Sequence, residues 1–304
     1  MNYRNTFRRV HPFTRMLLLA LMMFVGLIVV LGLGLIIAIP LLGQDVLTLL
    51  GGGDVDPDNI SIMRYFQILS HVGLFIVPSI VFVVVVSRRP IHFLEASRRP
   101  RLWPFILVSL IMFAALPMVG FLTQINQALH LPDALQSIEN WMRNTEAAAE
   151  EITRRFLIMH TWQDFAVNLL MIAIIPAIGE EFIFRGIIQK QFAEWTRNRH
   201  VAVLITAILF SAMHLQFFSF LPRVWLGIIL GYMLVYSGNI WFPVLAHFVN
   251  NAAALIFYHY YEMGQLDFEI DDIGAGPMGA LMAVTSLVVI IALFIAFRRA
   301  VSRR

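Results

Sequence analysis

Eight apolar stretches, most of them about as long as a bilayer is thick, run through this 304-residue chain and exclude an ordinary soluble fold. A spanning helix needs about 20 predominantly apolar residues. The stretches are roughly Met16–Leu42, Tyr65–Ser87, Leu102–Leu129, Thr161–Gln189, Val201–Phe217, Arg223–Ser237, Ile240–Tyr258 and Pro277–Phe297. The sixth is short and reads as a tilted or partial span. None shows the alternation of barrel strands, and in lipid only helices and closed barrels satisfy their own backbone polar groups. Only 13% of residues are charged, against about 25% in soluble domains. The expected fold is an all-α membrane protein, one polytopic bundle of about eight transmembrane helices forming a single domain over residues 1–304.

Charge placement orients that bundle. Lys and Arg favour cytoplasmic loops near span ends. Eight spans with a cytoplasmic N-terminus place 16 of the 22 Lys and Arg inside, among them Arg88, Arg89, Arg98, Arg99 and Arg101 between the second and third spans. The opposite segments are acidic, with Asp45, Asp54, Asp56 and Asp58 in one and Glu262, Asp267, Glu269, Asp271 and Asp272 in another. Both termini are therefore expected in the cytoplasm. The first run follows Arg4, Arg8, Arg9 and Arg15 as a signal peptide would, but it exceeds the roughly 7–15 residues of a signal core and reads as a retained span. The absence of cysteine excludes disulfides, a thiolate nucleophile and cysteine metal sites.

Two segments outside the spans carry patterns of their own. Gly51–Asn59 (GGGDVDPDN) has the composition of a calcium loop without its full spacing and distal Glu, and reads as a solvated turn. Pro132–Phe156 sets Leu135, Ile138, Met142, Ala149, Ile152 and Phe156 near helical spacing between Glu139, Glu146, Glu150 and Arg154. It is expected as an amphipathic helix on the outer face, over residues 132–156, either as a passive surface helix or as a lid.

Ionisable residues inside spans are costly and mark function. Here they concentrate in the second half of the chain. Glu180 and Glu181 adjoin within the fourth run, with Arg185 downstream. Glu181 and Arg185 are four apart on one helix face, in the favourable order for an ion pair. Glu180 points about 140° away from Arg185, free for other work. In apolar surroundings such a carboxyl suits general-base chemistry. His214 lies in the fifth run, 17 residues after Arg197, while Glu180 lies 17 before it. A hairpin turning there sets both at one depth, about 25 Å from the turn. In the seventh run His247 and Asn251 stack on one face, with Asn250 about 100° round. Gly179, Gly186, Ala212, Ala246 and Ala252 beside these sites permit close helix contact. His71 and His259 have no partner in the sequence and read as structural.

One carboxylate, two histidines and an asparagine do not make a nucleophilic triad, and the zinc signature His-Glu-x-x-His is absent. They do make a base that activates water and donors that hold an oxyanion, which suits amide hydrolysis. Alternatively, Glu180, His214 and His247 ligate a zinc ion that activates the water. The residues alone leave both routes open.

Glu-Glu-x-x-x-Arg at 180–185, Phe-x-x-x-His at 210–214 and His-x-x-x-Asn at 247–251, in that order on successive spans, resemble the CPBP family. That family comprises the type II CAAX prenyl proteases and the related bacteriocin-processing and immunity proteins, also called the Abi family. The resemblance covers residues 161–258 as a catalytic core. It implies an intramembrane endopeptidase with its site opening towards the cytoplasm. It also implies Glu180 as general base, His214 as the residue that holds the water, His247 and Asn251 as oxyanion donors, and Glu181 and Arg185 in support. No cofactor is then required, although a divalent metal such as zinc stays open. The expected partners are a membrane-anchored protein or peptide substrate and the lipid bilayer, not nucleic acid, and the expected location is a bacterial inner membrane. The competing readings are a non-enzymatic binding or immunity module and a proton-coupled transporter.

Overall fold

A computed structural model describes residues 10–42, 46, 60–98 and 100–302. The Gly51–Asn59 turn, with Asp45, Asp54, Asp56 and Asp58, lies outside the described residues, as do Arg4, Arg8, Arg9, Arg99, Arg303 and Arg304. The main helices are α1 (Pro12–Leu42), α2 (Ile60–Val86), α3 (Trp103–Gln127), α4 (Gln136–Leu157), α5 (Trp162–Thr196), α6 (Arg199–Met213), α7 (Phe220–Ser237), α8 (Trp241–Glu262) and α9 (Gly279–Ser302). No strand occurs among the described residues. Seven helices are long and apolar enough to cross a membrane, α7 together with the preceding turn Phe217–Ser219. Aliphatic and aromatic side chains cover the outside of the bundle, Phe24, Ile36 and Leu281 among them, each more than half exposed. So large an apolar exterior is stable only against lipid, and the chain is an integral, multi-pass membrane protein.

The fifth crossing differs from the expectation. It is α6, only 15 residues long, while the sixth is longer than Arg223–Ser237 and starts at Phe217. Arg197, in the left-handed region at φ 55°, makes the turn after α5. The Asn198 side chain then caps α6 by accepting the His200 and Val201 N–H groups. At its far end α6 stops at Met213, Leu215 turns the chain at φ 52°, and the Phe218 N–H donates to Glu146 of α4 at 2.8 Å. The chain thus still traverses the bundle eight times. The fifth traverse completes its course as a loop because His214 ends the helix beside a cavity.

The bundle has two dissimilar ends. At one, Asn239 donates to the Arg98 carbonyl at 3.0 Å, Trp241 donates to the Ala96 carbonyl, and Lys190 donates to the Phe93 carbonyl. The residues about positions 12 and 302 lie at this end too, since Arg15 pairs with Glu194 and Arg298 lies over Tyr236. At the other end sit α4 and the segment between α8 and α9. Arg64 clamps the close of α4, pairing with Asp164 at 2.6 Å and donating to the carbonyls of Phe156 and Ile158. The segment before α9 is pressed on α3, where Gly274 (φ 98°) passes so near the Pro117 carbonyl that a Cβ would stand 2.0 Å from it.

The start of α4 is held electrostatically. Glu139, buried, accepts from Arg143 at 2.7 Å, from the Leu131 N–H at 2.7 Å, and sits 3.0 Å from His130 Nδ1. His130, then Arg143 and the Leu131 amide, hold its carboxyl at about 2, against an ordinary value of 4.5. The folded value lies below the unfolded one, so the stability it contributes is whole above about 4.5, declines as pH falls, and is gone below about 2. Hydrogen exchange over residues 131–143 is expected to quicken through that window. Glu139→Gln is expected to show the quickened exchange already at neutral pH and to respond little to acid.

Candidate active site

Three widened turns shape the site. The backbone shifts to π-helix at Val72–Ile76 in α2 and at Leu169–Ile174 and Phe182–Ile188 in α5. Such bulges recur at functional sites. For the first bulge of α5 the cause is Pro176, which has no N–H to return to the Ile172 carbonyl four residues earlier. The ladder skips a residue, with the Ile175 N–H reaching back to Leu170 O. Asn251 of α8 supplies the missing donor, giving its amide to Ile172 O at 2.9 Å. Glu180 and Glu181 sit on the short α-helical stretch between the two bulges of α5.

Glu181 and Arg185 form an ion pair at 2.7 Å, with neither side chain exposed. Arg185 also donates to the Gly227 carbonyl of α7 at 3.2 Å and lies over the Phe210 ring of α6 at 4.5 Å. Glu181 Oε1 meets His247 Nδ1 of α8 at 2.9 Å. One buried cation thereby joins α5 to α6 and α7, and its carboxylate joins α5 to α8.

Glu180 faces the other way, as its phase predicts, but its surroundings are not simply apolar. His214 Nε2 and His247 Nε2 each stand 4.0 Å from its Oε2. His71 Nε2 of α2 stands 3.5 Å from its Oε1. His71 is therefore part of the constellation and not the isolated structural histidine that the sequence suggests. Its contact depends on Gly179, where a Cβ would lie 2.9 Å from Phe75 Cβ and hold α2 away. His71 Nδ1 has the Gln67 side-chain amide at 3.2 Å and the Gln67 carbonyl at 3.4 Å; with the shorter contact made by the amide as donor, Nε2–H points at Glu180.

The hydrogen bonds of the other two rings fix their roles. His214 Nδ1 lies 2.8 Å from the Phe210 carbonyl, which only accepts. His247 Nδ1 faces the Glu181 carboxylate. In both rings Nδ1 is the donor and Nε2 is turned to Glu180. Asn250 donates to Asn251 Oδ1 at 3.2 Å, so the pair stacks as one unit. Among the residues expected to ease packing, Ala246 is fully buried, while Ala212 is exposed and plays no such part. His259 packs near Phe165 and Tyr260, away from Glu180.

A cavity of about 680 Å³ stands over this group. Glu180, His71, His214, His247, Asn250 and Asn251 line its base. Ala149, Thr153 and Arg154 of α4, with Glu269 and Asp271, line its mouth. Burial raises the Asp271 carboxyl above the ordinary value, with Glu269 adding to it. The cavity therefore leads to the α4 end of the bundle and not to the arginine-rich end. Among the described residues no three His, Asp or Glu side chains have the spacing of a formed metal site.

Similarity to known proteins covers the same part of the chain. Residues 162–253 match the family model of the Rce1-like type II CAAX prenyl endopeptidases. The chain is 27% identical over 89 residues to the uncharacterized protein YpbD of Bacillus subtilis (strain 168), which is 28% of this chain and 42% of that protein. It is 34% identical over 100 residues to an uncharacterized 24.3 kDa protein of Escherichia coli, 31% of this chain and 45% of that one. The matched stretch thus spans less than half the length of these curated relatives. No solved structure matches. The matched residues 162–253 hold every residue of the constellation but His71, so the similarity to the Rce1-like type II CAAX prenyl endopeptidases falls on the site itself.

Proposed function

We propose that the chain is an intramembrane endopeptidase that hydrolyses a peptide bond of a membrane-associated protein or peptide in a bacterial inner membrane. The observation that carries this is the convergence of three imidazole Nε2 atoms within 4.0 Å of one buried carboxylate, at the base of a cavity.

In this reading a water molecule sits between Glu180 Oε2 and His214. Glu180 Oε2 has no hydrogen-bond partner of its own, and it takes the proton as the water oxygen attacks the carbonyl carbon. His214, its Nδ1–H committed to Phe210, accepts from the same water through Nε2 and aims it. Charge then develops on the carbonyl oxygen. His247, its Nδ1–H on the Glu181 carboxylate, acts in this reading as the imidazolium and presents a second proton on Nε2. Asn251 spends one amide N–H on Ile172 and has the second for the oxyanion. Glu180 passes its proton to the departing amine. His71 donates to Glu180 Oε1 and fixes which oxygen faces the water, a positioning role.

The metal route uses the same residues. Glu180, His214 and His247 would hold a zinc ion, whose chemistry is to acidify bound water and polarise the carbonyl. The contacts of His214 with Phe210 and of His247 with Glu181 are of the kind that orient metal-bound imidazoles. The 4.0 Å separations are wider than the roughly 3.3 Å between ligands that tetrahedral zinc at about 2.0 Å requires. That difference favours the metal-free route.

Two measurements decide between these statements. Purified protein and Glu180→Gln are compared for cleavage of membrane-anchored peptides, with and without a chelator. Cleavage is expected to fall roughly 10²–10⁴-fold in the variant, to persist with chelator, and to leave the thermal midpoint unmoved. Undiminished cleavage by the variant defeats the proposal, and loss with chelator restored by zinc selects the metal route. His71→Gln is expected to lower kcat roughly 10–100-fold, the cost of one hydrogen bond to a charged group. KM should be unchanged and the acidic limb of the pH–rate profile displaced. Phe75→Leu beside it, a packing change alone, should leave the profile in place.

A further inference from the structure

The lining of the cavity over Glu180 reaches one end of the bundle and not the other, and charge says which side of the membrane that end faces. Towards the arginine-rich end the way is closed. Ile183, Phe184, Arg185 and Ile187 are at most 1% exposed, and Leu94 covers Gly186 from below. No residue of the segments 87–101, 190–199 or 238–241 lines the cavity. Its lining climbs instead through Gln67, Pro176 and Tyr258 to α4 and to Glu269 and Asp271.

The two ends differ in sign. Among the described residues, the closed end carries ten Lys and Arg with two carboxylates, Glu95 and Glu194. The cavity end carries five Arg with eleven carboxylates. The excess of Lys and Arg in short loops lies on the cytoplasmic side of a multi-pass protein. The loops 87–101 and 197–198 are short and basic, whereas the segment 262–278 has no Lys or Arg at all. The cavity end also has what an interface-lying roof requires: α4 exposes Ile138, Trp141 and Ile152, and Trp162 follows it at 76% exposure.

We infer that the residues about 12 and 302 lie on the cytoplasmic side and that the Glu180 cavity opens to the opposite, non-cytoplasmic side. Resting on the protease reading above, this defines the substrate class. It is a peptide segment presented from outside the cytoplasm, either the outer juxtamembrane stretch of a membrane-anchored protein or an exported peptide held at the outer leaflet. Cytoplasmic protein C-termini are excluded. The outward opening also departs from what the family resemblance implies, because a bundle with its basic loops inside cannot present this cavity inward.

The chain contains no cysteine, so single-cysteine variants report position without background. Thr153→Cys and Asn144→Cys, both exposed on α4, and Ser97→Cys, exposed at the basic end, are labelled in intact cells with a membrane-impermeant maleimide. The α4 positions are expected to label in intact cells, and Ser97→Cys only after permeabilisation. The reverse pattern overturns the inference. In a second arm, membrane-anchored peptides are added outside sealed right-side-out vesicles bearing the protein or Glu180→Gln. Glu180-dependent cleavage from outside supports the inference, and cleavage that needs opened vesicles overturns it. Outside labelling of α4 without Glu180-dependent cleavage, even in opened vesicles, upholds the sidedness and defeats the protease reading alone.

Discussion

The buried pair of Glu181 and Arg185 is the interaction on which the rest of the bundle is hung. Two full charges with no exposed surface are tolerated in an apolar medium only when each is compensated. Arg185 meets that condition with Glu181, the Gly227 carbonyl and the Phe210 ring. Glu181 meets it with Arg185 and His247. Removing one partner of a buried pair typically costs about 3–5 kcal/mol, because the other is left uncompensated. The same contacts draw α6, α7 and α8 on to α5, and two of those helices, α6 and α8, bring His214 and His247 to Glu180. Packing and chemistry are therefore coupled through one arginine.

With Glu181 neutralised, Glu180 is the carboxylate left for chemistry, and the helix distortions decide what it meets. A regular α-helix through Pro176 would leave the Ile172 carbonyl unpaired in lipid-depth surroundings, a loss of several kcal/mol. The chain resolves it twice over. The ladder widens, and Asn251 donates across from α8. That bond sets the rotation of α8 that points His247 at Glu180. In α2 a second widened turn follows His71 directly, and the side-chain-free flank at Gly179 lets α2 approach. The proline and the glycine thus act at a distance from the carboxylate, by choosing which faces of three helices converge.

These features were unequally legible in the sequence. Apolar runs of bilayer length and the sorting of arginines disclosed the bundle, because hydrophobic length and charge are properties of residues taken one segment at a time. The spacing of Glu181 and Arg185, and the equal distances of Glu180 and His214 from Arg197, disclosed a shared depth for the same reason. His71 was not legible, since its partner is more than a hundred residues away and its motif-free surroundings give no period or pairing. One signal did exist: Pro176 removes a donor that some neighbour must replace, and Asn251 was available to do so. The short α6 was also hidden, because the apolar run continues through Leu215 and Phe217 after the helix has ended. Its end is set by the cavity, a tertiary feature.

The closed floor and the roofed mouth follow from opposing demands on one site. The proposed hydrolysis would need water at Glu180, yet every polar group there must be shielded from lipid. A shaft open along its length would wet the buried ion pair and weaken it, since attraction between charges falls as the local dielectric rises. The structure separates the two needs along α5. Below Glu180 the side chains of Ile183, Phe184 and Ile187 are packed dry around Arg185. Above it, Asn250, Asn251, Tyr258 and Gln67 make a polar-edged passage, roofed by a helix whose ends are tied at Glu139 and Arg64. The cavity at the carboxylate thus extends towards one end, and the helix-joining arginine is packed away from solvent on the other side.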